Sequence, residues 1–484
     1  MNYLDRPLSR PVTDESIGSP FVSMKKWHRA VVVSALSAYL LWIALHGVAH
    51  PVSTASGEVL LVLALNFALL LLPVIFYQPT FGWFHPLVFG IVLTFVDHLT
   101  RSGLYINGLQ WHAALPGWNS DRLNQLVVQE LLLSSLGIVS AYLGFFLCPR
   151  LGIPKLTFHR PRYIGRKVVI AVIFAMSTCM AYLQSQGGIA THILSWGRGR
   201  RTELAGESYW GFFVQVGIIA CLSWLALDRR ATQKPLFWVC SVSSLTMSFL
   251  VGGSRSILIY YMVMGLMVWL LRERKISFTK PLILVCVSFF LIGLLGAFRT
   301  STFSGEINWG LLTGESTTEE SALTTGAGEV SMRLAEGNAV YPILALVPET
   351  IDHIHGSSYA AVLALPVPRT LWADKPGLIG GRVGMTFFNQ LAGVPPGPIG
   401  EAFWNFGVSG VLIAFVLFGM AQRWFVELFC HYAHEPVAII LYAVTLFQFS
   451  EPSSAGLQAF AITIVLTLIF LRLIGAMTFR KRTA

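Results

Sequence analysis

Charge is scarce in this chain: Asp, Glu, Lys and Arg make up only 12% of its 484 residues. A soluble domain carries about 25%, so there is too little charge here to cover an ordinary water-facing surface. Cysteine is also scarce. The six cysteines, at positions 148, 179, 221, 240, 286 and 430, lie within apolar runs or at their ends, and no Cys/His group has zinc-ligand spacing. Neither a structural disulfide nor a metal site is expected. The chain has no glycine-rich phosphate loop, no dinucleotide fingerprint and no repeat of solenoid period. No nucleotide site and no cofactor are therefore expected.

What the chain has instead is apolar length. Hydrophobic residues make up 54%, the mean hydropathy is +0.64, and runs of about twenty residues recur, enough to cross roughly 30 Å of hydrocarbon. Twelve such runs stand near 30–50, 57–78, 83–103, 123–147, 167–185, 208–227, 236–252, 257–271, 281–298, 407–427, 436–451 and 456–475. The expected fold is an all-α polytopic membrane protein of about twelve transmembrane helices. Residues 1–29, polar and carrying Pro7, Pro11 and Pro20, read as a disordered cytoplasmic tail rather than a cleaved signal. Spans one to nine fill 30–298, a large external loop fills 299–406, and spans ten to twelve with a basic tail fill 407–484.

The net charge of +10 does not point to nucleic acid, because its placement follows membrane topology. Lys25, Lys26 and Arg29 precede the first span. Arg150, Lys155, Arg160, Arg162, Arg166 and Lys167 follow the fourth, and Arg229, Arg230 and Lys234 the sixth. Arg272, Arg274, Lys275 and Lys280 follow the eighth, and Arg480, Lys481 and Arg482 end the chain. With twelve spans all of these share one side, which the distribution of positive charge makes cytoplasmic. Every lysine except Lys375 falls there, and most acids fall opposite.

The external side keeps isolated arginines: Arg198, Arg200, Arg201, Arg255, Arg299, Arg333, Arg369 and Arg382. An arginine at a membrane boundary is costly without a partner, and its guanidinium fork suits phosphate oxygens. Arg255, in GGSRS between two spans, and Arg299, at the end of another, stand out; snorkelling and pairing with external acids are the plain alternatives. Arg198 lies in a run beside Glu203 and Glu207 that reads equally well as a solvated segment. His46, His50, His85 and His98 lie on apolar runs and read as packing residues.

The stretch 299–406 is too long and too varied to be a mere connection. Pro366, Pro368 and Pro376 bracket Arg369, Trp372, Asp374 and Lys375 in a rigid turn. GPIGEAFWNFG then leads into the tenth span, so Glu401 is expected at the head of a membrane helix. There it is either a cap on the helix dipole or a functional carboxylate facing a cavity. An acceptor hydroxyl needs a base or an orienting group, and His353, His355, Glu349, Asp352 and Glu401 are the candidates, with Glu401 and His353 first.

The segment PRTLWADKP followed by GEAFWNFG and a further span resembles the oligosaccharide repeat-unit polymerases, the Wzy-type O-antigen polymerases of bacterial envelopes. Their pattern is Pro-Arg, then Trp-Pro-Asp-Lys-Pro, then Gly-Glu-aromatic-x-Asn-Phe-Gly; this chain departs from it at Ala373. The GGSR segment ending at Arg255 and the Gly187–Gly188 opening of an arginine-bearing loop are also similar, and the likeness runs from about 165 to 475. The resemblance implies a GT-C-like glycosyltransferase in the bacterial inner membrane, with its active site facing the periplasm. It would join repeat units carried on undecaprenyl diphosphate and release that diphosphate, without a metal. The implied partners are these lipid-linked glycans, membrane lipid and a chain-length regulator protein. In this reading Glu401, His353 and Arg299 would be catalytic, and Arg255, Arg369, Lys375 and Arg198 would hold the diphosphate. A ligase-like transferase and a lipid-linked oligosaccharide flippase remain alternatives.

Overall fold

The computed structural model of the chain describes residues 21, 23–49, 57–76, 81–90, 120–149, 151–195, 208–252, 256–273, 339–364, 367, 371–372, 379–389 and 393–479. Their regular structure is helical apart from a small two-stranded ribbon, with turns and bends between the elements. The long helices are α1 Lys26–Ala49, α2 Gly57–Ile75, α3 Ser120–Leu147 and α4 Ile164–Ser185. The short α5 Ile189–Ser195 follows, then α6 Ser208–Leu227, α7 Pro235–Gly252 and α8 Ser256–Glu273. Three short helices come next: α9 Val340–Leu346, α10 Ser357–Leu363 and α11 Ile379–Phe388. The chain then runs through α12 Gly397–His431, α13 Pro436–Gln448 and α14 Ser454–Leu473. Among the described residues six helices are long and apolar enough to cross a membrane: α2, α3, α4, α6, α12 and α14. The protein is a multi-pass membrane protein. The expected ninth span, and most of the third, lie outside the described residues.

Local sequence sets the helix ends. Proline opens α7 at Pro235 and α13 at Pro436, where a missing N–H costs nothing. Ser453 caps α14, its hydroxyl accepting the Gly456 amide at 2.9 Å. At the other end of α14, β2 Met477–Phe479 pairs antiparallel with β1 Leu156–Phe158, placing Leu156 opposite Phe479. Lys167 Nζ donates to the Ile474 carbonyl at 2.6 Å, and Tyr432 Oη donates to the Pro154 carbonyl at 2.7 Å. The basic ends of α4, α12 and α14 are thereby clipped together.

Two apolar cores share the packing. One joins α4, α6, α7, α8, α13 and α14, with Trp224, Tyr182 and Met267 deeply buried. Its margin also takes in Phe21 and Met24, from the segment expected to be a disordered tail. The Phe21 ring lies 5.4 Å from His85 and 5.6 Å from Tyr442, an aromatic pocket that offsets the cost of ordering those residues. His85 is itself a packing residue, 4.4 Å from the Phe81 ring. The second core joins α2, α3, α9, α11 and α12. Through it α9 packs on α3 and α12 and α11 joins the same core, while α10 packs on α14 and α12.

α3 and α12 cross closely between the two cores. A Cβ on Gly144 of α3 would lie 2.1 Å from the Val416 carbonyl oxygen of α12. A Cβ on Gly419 of α12 would lie 2.0 Å from the Ala141 carbonyl oxygen of α3. Small residues let membrane helices bring their backbones into contact, where dispersion rather than water exclusion supplies the attraction.

Candidate functional site

α12 does not begin where apolar length alone would start it. It starts at Gly397, ten residues before the expected span at 407, and is interrupted at Phe406 (φ −146°) and Gly407 (φ 63°). Only glycine accepts the latter backbone readily. Glu401 and Asn405 lower the hydropathy of the first part, yet both are fully buried with partners inside the protein. The break leaves carbonyls at the end of the first part without helical donors, and the 351–356 bend supplies donors for them.

The docking is specific. Ile354 N donates to the Trp404 carbonyl at 3.1 Å, and His355 N donates to the Asn405 carbonyl at 3.2 Å. Gly356 N donates to Asn405 Oδ1 at 2.7 Å. Asn405 Nδ2 donates to Ser358 Oγ and to the Glu401 carbonyl, both at 2.8 Å. Trp404 Nε1 donates to the Asp352 carbonyl at 3.2 Å. His353 Nδ1 lies 3.1 Å from the Trp404 carbonyl oxygen. A carbonyl only accepts, so that nitrogen carries the proton, and in the neutral ring Nε2 is left with the basic lone pair. Half-buried His353 sits over Gly407, where a Cβ would come within 3.8 Å of Nε2.

Glu401 departs from expectation. It stands in the second turn of α12 rather than at its head, is 0% exposed, and serves the N-terminus of a different helix. Its Oε2 accepts the Ser454 amide of α14 at 2.9 Å. Ser358 and Ser454 lie against the carboxylate, and among the described residues the buried Oε1 has no hydrogen-bond partner. Glu401 thus bridges the two cores. Nearby Tyr359 donates to the Pro452 carbonyl at 3.2 Å. Burial, with Glu401 and Glu451 close by, raises the pKa of its hydroxyl and keeps it protonated.

A described cation within this site is Arg382 of α11. Its Nη1 donates to Ser357 Oγ at 2.7 Å, and its guanidinium carbon lies 5.6 Å from the Trp404 ring centroid. Among the described residues it has no acidic partner. Arg198, Arg255, Arg299, Arg369 and Lys375, named from the sequence for the diphosphate or the chemistry, lie outside the described residues. The structure therefore joins His353 and Glu401 through one network and adds Asn405 and Arg382. Asn405 stands within the quoted GEAFWNFG motif and Arg382 among the external arginines, but no pattern of spacing marked either one for a role. Of the 366–376 turn only Val367, Leu371 and Trp372 are described.

Two cavities flank the 449–453 turn that Glu401 holds. One, of about 140 Å³, is lined by Ser134, Ile399, Gln422 and Glu451. The other, of about 270 Å³, lies between α6, α8, α13 and α14 and receives Gln215, Gln448 and Gln458. None of these three amides has a hydrogen-bond partner among the described residues. Among the described residues no three His, Cys, Asp or Glu side chains gather as metal ligands would.

Fold and site together define a multi-pass membrane protein with a polar, histidine-bearing centre at the end of the bundle opposite its basic clusters. Compared with protein-family models, curated proteins and solved structures, the chain matches none.

Proposed function

We propose that the chain is a membrane glycosyltransferase that polymerises oligosaccharide repeat units carried on undecaprenyl diphosphate. It would act at the periplasmic face of a bacterial inner membrane, within a twelve-span topology and with both termini cytoplasmic. The observation that carries this reading is a histidine and a cation without an acidic partner among the described residues, sharing one residue. His353 is oriented by the Trp404 carbonyl, while Arg382 lies on the Trp404 ring. The same residue lies in the motif that resembles the polymerases.

In the reaction, a hydroxyl oxygen of the incoming unit forms a bond to the anomeric carbon of the donor glycan. The bond from that carbon to the diphosphate oxygen breaks, and the diphosphate departs with the electron pair. His353 Nε2 takes the hydroxyl proton, a role worth about 10²- to 10⁴-fold in rate. Arg382 meets the charge developing on the leaving group. Arg255 and Arg369 keep the diphosphate-holding roles, and Arg299 the catalytic role, that the resemblance gives them, since fixed cations aimed at developing charge lower the barrier. Glu401, buried and bonded to Ser454, acts as a positioning residue that fixes the 449–453 turn. The unpartnered amides of Gln215, Gln448 and Gln458 offer hydrogen bonds of the kind sugar hydroxyls accept and donate.

The test is reconstitution of the purified chain in liposomes with a synthetic lipid-linked repeat unit. A ladder of lengthened glycans, with one undecaprenyl diphosphate released per unit added, is the expected result. Transfer to a lipid A core acceptor without such a ladder would replace polymerase with ligase. Movement of unaltered lipid-linked units across the bilayer, without bond formation, would replace both with a transporter.

A further inference from the structure

The opposite end of the bundle holds a cleft that the proposed chemistry does not use. It measures about 810 Å³ and opens among the ends of α4, α6, α8 and α13. Its floor is apolar, formed by Ile164, Leu227, Leu271 and Ile439. Its rim carries Arg160, Arg229, Arg272 and His434, and among the described residues Asp228 and Glu273 are the only acids lining it.

The acids are already engaged. Asp228 Oδ2 accepts Lys234 Nζ at 2.6 Å and Trp224 Nε1 at 3.2 Å, and Oδ1 accepts the Arg230 amide at 2.9 Å. Partial burial pushes the Asp228 carboxyl up, but these donors outweigh it and hold its pKa below the ordinary value. Glu273 faces Arg272 Nη2 at 3.0 Å. Arg272 is itself built into the wall, donating to the Leu225 and Asp228 carbonyls that end α6. That leaves Arg160 and Arg229, both exposed, with no hydrogen bond or ion pair from their side chains among the described residues. Two free guanidinium groups therefore overlook an apolar floor, in a cleft whose carboxylates are neutralised.

We propose that this cleft binds the phosphate head group of an anionic phospholipid, with Arg160 and Arg229 as its phosphate ligands. A lipid fits better than a soluble anion because of the floor and its depth. The candidate membrane spans Ile164–Ser185 and Trp210–Leu227 begin and end at the cleft, which places the two arginines at head-group level and the apolar residues at the start of the acyl region. Basic pockets between helix ends hold lipid head groups by this combination of charge and apolar contact.

The test uses the full chain purified in a non-ionic detergent. Its thermal midpoint is followed while dioleoyl phosphatidylglycerol, dioleoyl phosphatidylcholine or free glycerol 1-phosphate is added. Ligand binding to the folded state raises the midpoint by mass action. The expected result is a rise with phosphatidylglycerol alone, weakened by salt, and lost in Arg160→Gln/Arg229→Gln, whose midpoint without lipid matches the wild type. The single variants are measured alongside and should each lose part of the rise, so the result does not depend on the double variant folding. An equal rise with phosphatidylcholine, or an undiminished rise in the single variants, overturns the proposal. An equal response to glycerol 1-phosphate overturns the choice of a lipid in favour of a soluble phosphate. None of these outcomes bears on glycan transfer, which is read separately.

Discussion

Asn405→Ala should loosen the 354–356 segment selectively. The side chain is fully buried, its Oδ1 takes the Gly356 amide, and its Nδ2 reaches both Ser358 and the Glu401 carbonyl. Truncation orphans the Gly356 amide, at about 1–3 kcal/mol, and removes the two Nδ2 bonds, taken at the low end of about 0.5 kcal/mol each. The sum, about 2–4 kcal/mol, falls on local opening because the three neighbouring amides are held by α12 at this one place. Each 1.4 kcal/mol is tenfold in an equilibrium, so exchange at Ile354, His355 and Gly356 should quicken roughly 30- to 700-fold. Hydrogen exchange on the purified protein, read by mass spectrometry over the 350–360 peptides, is the assay. Asn405→Asp should not restore protection: its Oδ1 still accepts the Gly356 amide, but its second oxygen confronts the Glu401 carbonyl. Unchanged exchange at these amides in Asn405→Ala would refute the claim that the α12 break organises the His353 bend.

The other predictions concern single side chains. Glu401→Gln keeps an oxygen for the Ser454 amide and should retain most turnover, whereas Glu401→Ala should lower the thermal midpoint sharply; a folded but inactive Glu401→Gln in the polymerisation assay would make Glu401 the base. Arg382→Ala should cut turnover by about 10²-fold, the scale of a lost electrostatic contact, and Arg382→Lys should recover little of it because a point charge lacks the stacked fork; near-normal chain lengths from Arg382→Ala would reduce it to a packing residue. Gly419→Val should unfold the protein or sharply reduce its yield in membranes, measured by size-exclusion of fluorescently tagged protein, since its side chain has no space beside the Ala141 carbonyl; a normal elution profile would show that the α3–α12 crossing relaxes cheaply.

The bilayer-length helices were legible in the sequence because a span must be continuously apolar to satisfy its backbone in lipid. α4, expected at 167–185, runs Ile164–Ser185, and α6 matches its expected bounds of 208–227. The start of α12 was not legible, because Glu401 and Asn405 look polar in sequence yet are satisfied by partners distant in the chain. Glu401 meets Ser454, 53 residues away, and Asn405 meets Ser358, 47 residues away. Pairings of that range are set by how α10, α12 and α14 pack together, and periodicity carries no record of them. For the same reason Arg382 gave no signal: what sets it apart is the Trp404 ring it rests on, not its neighbours in the chain. Phe21 and Met24 were hidden by the polar, proline-bearing composition around them.

The central claim is that His353 Nε2 accepts the proton of the attacking hydroxyl. Its most direct measurement is chain extension by His353→Ala in liposomes, with the insertion and thermal midpoint of the variant matched to the wild type. The account predicts a loss of about 10²- to 10⁴-fold in units added, with release of undecaprenyl diphosphate falling in step. Wild-type extension by a folded His353→Ala would contradict it.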